Sequence, residues 1–249
     1  MTLTVVQGFF GKIPSLGDFV TRDLPRDFLD TWDDWLQQSV AASKSALGDA
    51  WLNTYLNSPI WRFVLLPGVC GERGWAGILM PSVDKVGRYF PLTFASSLGD
   101  GVQPFHVIEA GTGWFTAAED LALSVLQEES VDVDALQSSM VTLDNAVMQL
   151  GDDTNPTLNG GEWGLRLTGV TNQTISSAVC HELVRFQVGP YSVWWTQDSE
   201  DLPSMGLVAP NLPNPLSFAQ LLAGNWGDSS PTTAAIDGDA AVASTGESA

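Results

Sequence analysis

The sequence predicts an α/β protein, specifically a single-domain three-layer α/β/α sandwich with a mixed sheet. Short apolar runs of strand length, punctuated by Gly and Pro, alternate with longer segments whose apolar residues recur every three or four positions. A chain of 249 residues, 44% hydrophobic, can bury a substantial core. No Gly/Ser or Pro linker and no repeat of fixed period divides it, so one domain takes residues 1–225 and leaves a tail at 226–249.

Val5 to Phe10 reads as a buried strand ending at Gly11, with a loop through Pro14 and Gly17 behind it. A helix starts near Pro25, because proline is tolerated at the first helical position, where its missing N–H costs nothing. Phe28, Leu29, Trp32, Trp35, Leu36 and Val40 form its apolar face, and Asp27, Asp30, Asp33 and Asp34 lie mostly off that face. Gly48 ends the pattern, and Trp51 to Leu56 reads as a second short helix. Trp61 to Leu66 and Trp75 to Met80 are strand-like runs joined by a Gly-rich turn, Gly68 to Gly74, which together predict a hairpin. Pro91 to Ser96 is a further strand. Pro81 to Phe90, between them, is too polar and too punctuated for a core element and is placed on a loop.

Gly113 to Glu129 and Asp132 to Leu150 read as two acidic amphipathic helices, the second with acids in its first turn, where the helix dipole favours them. A polar loop to Gly161 and a short strand at Trp163 to Leu167 follow. Ile175, Ala178, Val179, Leu183 and Phe186 have helical spacing, Tyr191 to Thr196 reads as a strand and Pro215 to Ala223 as a last helix. From about Trp226 the chain is Gly, Asp, Ser, Ala and Thr, too poor in large apolar groups to offset its ordering entropy, so a flexible tail is expected.

Charge narrows the partners. The formal net charge is −19, which would repel a nucleic-acid backbone and disfavours an anionic membrane surface. Residues 1–95 carry eight basic and nine acidic side chains, about −1; taking these from the totals of 10 and 29 leaves about −18 for the remainder. That acidic remainder is a solvated surface that favours solubility, or a docking face. Cys70 and Cys180 make no disulfide framework. The first residues lack a basic n-region and cleavage site, and no apolar run approaches the ~20 residues of a membrane span, so a cytoplasmic location is expected.

Catalytic patterns fail one by one. Gly8 to Ile13 offers Gly-Lys without the glycine spacing or following hydroxyl of a phosphate-binding loop, and the dinucleotide glycine pattern is absent. Cys180, His181 and Glu182 adjoin in sequence, but neighbours one apart do not face each other on a helix or strand. His106 reads as a turn or core histidine, and two histidines with two cysteines match no metal-site spacing. No catalytic residue, metal or cofactor is expected.

The most site-like stretch is Pro81-Ser-Val-Asp-Lys-Val-Gly-Arg-Tyr-Phe-Pro-Leu. It places Ser82, Asp84, Lys85 and Arg88 on one short loop, able to bind an anion or steer a partner's carboxylate or phosphothreonine. Equally, Asp84 and Arg88 can pair with each other or with backbone carbonyls to lock the loop, with Tyr89 and Phe90 anchoring it. Lys12, Asp18 and Arg62 are the other candidates for partner or anion contact; the Arg62 guanidinium can also satisfy buried carbonyls or stack on a ring.

Taken in order, Gly11-Lys-Ile-Pro-Ser-Leu-Gly-Asp-Phe-Val, Trp32-Asp-Asp-Trp-Leu-Gln, Ser58-Pro-Ile-Trp-Arg-Phe and the Pro81 to Leu92 stretch resemble the TagF (ImpM) family of bacterial type VI secretion. The resemblance is strong over about Gly8 to Leu98 and rests beyond that on Ser192-Val-Trp-Trp-Thr and Phe218 to Leu222. It implies a three-layer α/β fold and a cytoplasmic, non-enzymatic, post-translational repressor that associates with a forkhead-associated scaffold protein. Some relatives continue into a protein-phosphatase domain, whose metal-carboxylate motifs this chain lacks. Lys85 departs from the arginine that the resemblance leads one to expect there. Two other readings stand beside it: a small-molecule or nucleotide sensor with a pocket at the Ser82–Arg88 loop, and a hydrolase needing Ser82 or Cys180 within reach of a histidine.

Overall fold

The computed structural model describes residues 5–149, 175–197 and 204–224. Strands β1 (Gln7–Gly11), β2 (Val20–Arg22), β3 (Trp61–Leu65), β4 (Trp75–Met80), β5 (Leu92–Ser97), β6 (Tyr191–Trp195) and β7 (Gly206–Pro210) form one sheet in the order β2-β1-β5-β4-β3-β6-β7. Every pairing is antiparallel, which corrects the expected mixed sheet. The direct connections β1–β2, β3–β4, β4–β5 and β6–β7 turn the chain back on itself, and a chain that turns back pairs antiparallel.

The helices are α1 (Arg26–Leu47), α2 (Trp51–Leu56), α3 (Pro104–Ala110), α4 (Thr112–Gln127), α5 (Val133–Val141), α6 (Ala146–Gln149), α7 (Ile175–Val188) and α8 (Phe218–Ala223). Strand alternation divides the core. Phe10, Trp61, Phe63, Leu65, Trp75 and Leu79 join a cluster with α1, α2 and α8. Phe9, Val64, Ala76, Ile78 and Phe94 join a second cluster with α4, α5 and α6.

Two of the ten tryptophans, Trp32 and Trp35, lie on the apolar face of α1. Trp32 is fully buried, with rings of Phe28, Trp35, Phe63 and Trp194 within 4.8–5.9 Å of its own. An indole N–H cannot be buried cheaply without an acceptor. Trp32 donates to Thr93 Oγ1 at 2.9 Å, Trp35 to Pro213 O at 2.7 Å and Trp61 to Leu221 O at 3.0 Å, tying the sheet and the final helix to α1.

Several expectations shift. The helix expected over Asp132 to Leu150 breaks at Thr142 to Asn145. The Asp144 side chain accepts from Ala146 N, a local bond that starts a new turn, and Gln7 Nε2 takes the freed carbonyls of Val141 and Leu143. The three-residue β2, the edge strand β7, and α3, which opens with Pro104 at its first position, were not anticipated. In α7, Ala178 is buried as its spacing predicts, but Leu183 and Phe186 are exposed whereas Ser177 and Glu182 are buried, so the apolar spacing locates its inner face only in part. The expected strand at Trp163 to Leu167 and the tail at 226–249 lie outside the described residues. None of the described helices is long and apolar enough to cross a membrane.

Candidate functional site

The loop between β4 and β5 sits at one end of the sheet, where register brings Gly11, Met80 and Leu92 together. Lys12 therefore emerges from β1 directly beside the loop. Lys12 and Asp84 are each about 3% exposed, and Lys12 Nζ donates to Asp84 Oδ2. That same oxygen accepts from Arg88 Nε at 2.6 Å, while Oδ1 accepts from the backbone N–H groups of Val86 at 3.1 Å and Arg88 at 2.8 Å. Burial alone would raise the Asp84 pKa, but these bonds, from Lys12 first and then from Arg88 and Val86, hold it well below the ordinary range.

Other polar groups of the loop are likewise engaged. Ser82 Oγ donates to Lys12 O at 2.7 Å, and the Tyr55 hydroxyl donates to Ser82 O at 2.9 Å while accepting from Ser82 N at 3.0 Å. Lys85 N donates to Leu16 O at 2.9 Å, and Arg88 Nη2 donates to Gly17 O and lies 3.6 Å from Asp18. The loop is thereby laced to residues 16–18. Gly87 makes the return, with φ of 84°, a conformation that glycine adopts without penalty. Outward it presents Lys85, Val86 and Arg88, flanked by half-exposed Phe19, whose ring takes Lys12 Nζ at 4.6 Å on one side. The Lys85 side chain enters no ion pair or hydrogen bond among the described residues.

Arg62 is built into a different contact. It lies on β3, one residue in from the same end of the sheet, and faces α4. Its Nε and Nη2 each donate to one oxygen of Glu119 at 2.7 Å, and Nη2 reaches Thr116 Oγ1 at 3.3 Å. Phe115 lies 5.5 Å beneath the guanidinium, and the Gln197 amide oxygen, turned toward it, accepts from Nη1 and Nη2 at 2.7 and 2.9 Å. Glu119 was invisible as a partner in sequence, although Arg62 and a half-buried glutamate on an amphipathic helix are compatible types.

Two of the cavities lined by described residues bear on these readings. The smaller, of about 10 Å³, lies behind Pro81 and Pro91 among Tyr55, Trp61 and Trp194, and has room for one water at most. The larger, of about 880 Å³, lies at the opposite end of the sheet. Neither is lined by Lys12, Asp18, Arg62, Ser82, Asp84, Lys85 or Arg88. His181 Nδ1 pairs with the Tyr191 hydroxyl at 2.9 Å rather than with Ser82 or Cys180, and Cys180 points to solvent. His106 is half-buried on α3. Among the described residues no group of His, Cys, Asp and Glu side chains is placed to hold a metal ion.

Residues 8–143 match the family described as the TagF N-terminal domain, type VI secretion system-associated. This chain belongs to that family. The match takes in β1 to α5 and so includes Lys12, Arg62, the whole β4–β5 loop and Glu119. The TagF family chain is also similar to a solved structure, PA0076 from Pseudomonas aeruginosa PAO1, at 33% sequence identity and a TM-score of 0.78, over 92% of this chain and 99% of that one. No curated protein matches it.

Proposed function

We propose that this TagF family member is a cytoplasmic post-translational regulator of type VI secretion, a repressor that acts without catalysis by binding a forkhead-associated scaffold component. Its family membership supports the system; the closed β4–β5 loop supports the mode of action. The polar groups of Ser82 and Asp84, which a small-molecule sensor would offer to its ligand, are already consumed by Lys12, Tyr55 and Arg88. A locked loop costs little entropy to dock, which favours recognition of a surface. We read the helices on either side of the sheet as the outer layers of a three-layer sandwich within residues 1–225.

The test is affinity capture from a strain with an active type VI system, with effector export measured on overproduction. Co-purification of the forkhead-associated component together with lowered export is the expected result; unchanged export removes the repressor reading. Surface variants then locate the contact. Lys85→Glu reverses a charge on the loop without touching its lock, and Asp120→Lys with Glu128→Lys does so on exposed positions of the acidic helix α4 and just beyond it. Glu119 is unsuitable for this purpose because it holds Arg62.

A further inference from the structure

The cavity of about 880 Å³ at the far end of the sheet has the size of a small-molecule site. Its walls come from the β3–β4 turn, the segment from Leu98 into α3, and the last turns of α7. Glu182, on the α7 wall, is only 5% exposed. Its Oε2 accepts from Arg185 Nη2 at 3.0 Å, but Oε1 accepts no hydrogen bond among the described residues. Facing Oε1 at 3.9 Å is His181 Nε2, too far for a hydrogen bond. The imidazole is held from behind by the fully buried Tyr191 hydroxyl on Nδ1. When Nδ1 carries the proton and gives it to Tyr191, Nε2 is an acceptor. A carboxylate oxygen of the largely buried Glu182 and an imidazole nitrogen then converge on one gap that an N–H donor can fill.

The rest of the lining points the same way. Asp27, Glu72 and Asp100 line the cavity, and none of their carboxylates enters a hydrogen bond or ion pair among the described residues. Arg73 has interactions of its own, and Arg185 is committed to Glu182. A concave site with this acid excess, on a chain of net charge −19, concentrates cations.

We propose that this cavity binds an organic polycation, seating one ammonium or guanidinium N–H group between Glu182 and His181 and its remaining charges against Asp27, Glu72 and Asp100. The ligand is a free polyamine or a lysine- and arginine-bearing peptide; the two share this chemistry.

Isothermal titration of the full chain at 150 mM salt, with spermidine and with a capped Lys-Arg-Lys tripeptide as probes, tests it. Saturable one-to-one binding of either probe is expected, weakened about tenfold by Glu182→Gln and several-fold by Glu72→Gln or Asp100→Asn, with Asp120→Asn as an unaffected control. Tighter binding of the tripeptide assigns a peptide source, and tighter or equal binding of spermidine assigns a free amine. Glu72 and Asp100 are exposed, so their variants fold and remain informative if Glu182→Gln does not. No saturable binding of either probe, or binding that the Glu72 and Asp100 substitutions leave unchanged, overturns the proposal.

Discussion

Lys12 and Asp84 stand 72 residues apart in sequence, and their side chains meet where solvent does not reach. Two buried charges are costly unless each is fully hydrogen-bonded, and Asp84 meets that condition through Lys12, Arg88 and the N–H groups of the loop. The pair therefore couples the end of β1 to the β4–β5 loop. Lys12→Met and Asp84→Asn are each expected to lower the melting temperature by about 5 °C or more, and the double variant by less than the two combined, because a lone buried charge is worse than none. Additive shifts in a thermal-melt cycle would show the pair to be uncoupled.

The same carboxylate sets an acid limit. Its folded pKa is depressed, so its contribution to stability is fully present above the ordinary aspartate value of 3.8 and is lost as pH falls below that value. Wild-type melting temperature should fall steeply through this range, and Asp84→Asn should flatten the fall. In Lys12→Met, Asp84 loses its first stabilising partner while keeping its burial, so the fall moves to higher pH. Melting curves taken in steps from about pH 5 down to about pH 2 read all three slopes.

Arg62 presents a forked pair to Glu119, and only arginine can match both carboxylate oxygens at once. Arg62→Met is expected to cost about 3 kcal/mol by leaving Glu119 half-buried without its cation, and Arg62→Lys about 1.5 kcal/mol by losing one charged hydrogen bond. Urea unfolding gives both values. Equal stability of the lysine variant and wild type would mean that the fork contributes nothing beyond its charge.

How much of this was legible follows the physics of each signal. The face of α1, the β3–β4 hairpin and the short α2 were readable because the periodicity of Phe28, Trp32, Leu36 and Val40 and the turn glycines are local. Strand direction was not, since it depends on which strands meet. Phe186 shows the limit of periodicity: it has helical spacing but is 85% exposed, while the buried positions of α7 include the polar Ser177, bonded to Glu109, and Glu182. In the candidate loop, the local Asp84–Arg88 pairing was foreseeable from its four-residue spacing. The Lys12 and Tyr55 contacts were not, because they span 72 and 27 residues.

Cys70 and Cys180 should differ sharply as nucleophiles. Burial, with the Asp27 charge adding to it, pushes the Cys70 thiol up to about 12, whereas Cys180 lies exposed on α7. The thiolate is the reacting species, so iodoacetamide at neutral pH should label Cys180 alone in the native protein and Cys70 only after unfolding. Peptide mass mapping of the two states checks this, and prompt native labelling of Cys70 would mean that the segment from Pro67 to Gly74 opens readily.

Gly77 and Gly113 should respond to alanine with opposite signs. Gly77 lies opposite Phe63 in the β3–β4 register, and a Cβ there would come within 2.4 Å of both Phe63 Cζ and the backbone oxygen of Phe94. The ring could turn, but the strand carbonyl cannot move without breaking the β4–β5 ladder. Gly77→Ala should therefore cost at least about 2 kcal/mol. At Gly113, in the first turn of α4, an added Cβ meets nothing within 4 Å. There alanine only removes freedom from the unfolded chain and should stabilise by about 0.5 kcal/mol. Urea midpoints at unchanged m-value compare the two directly; a neutral Gly77→Ala would mean that β4 can shift against its neighbours without loss of the aromatic core.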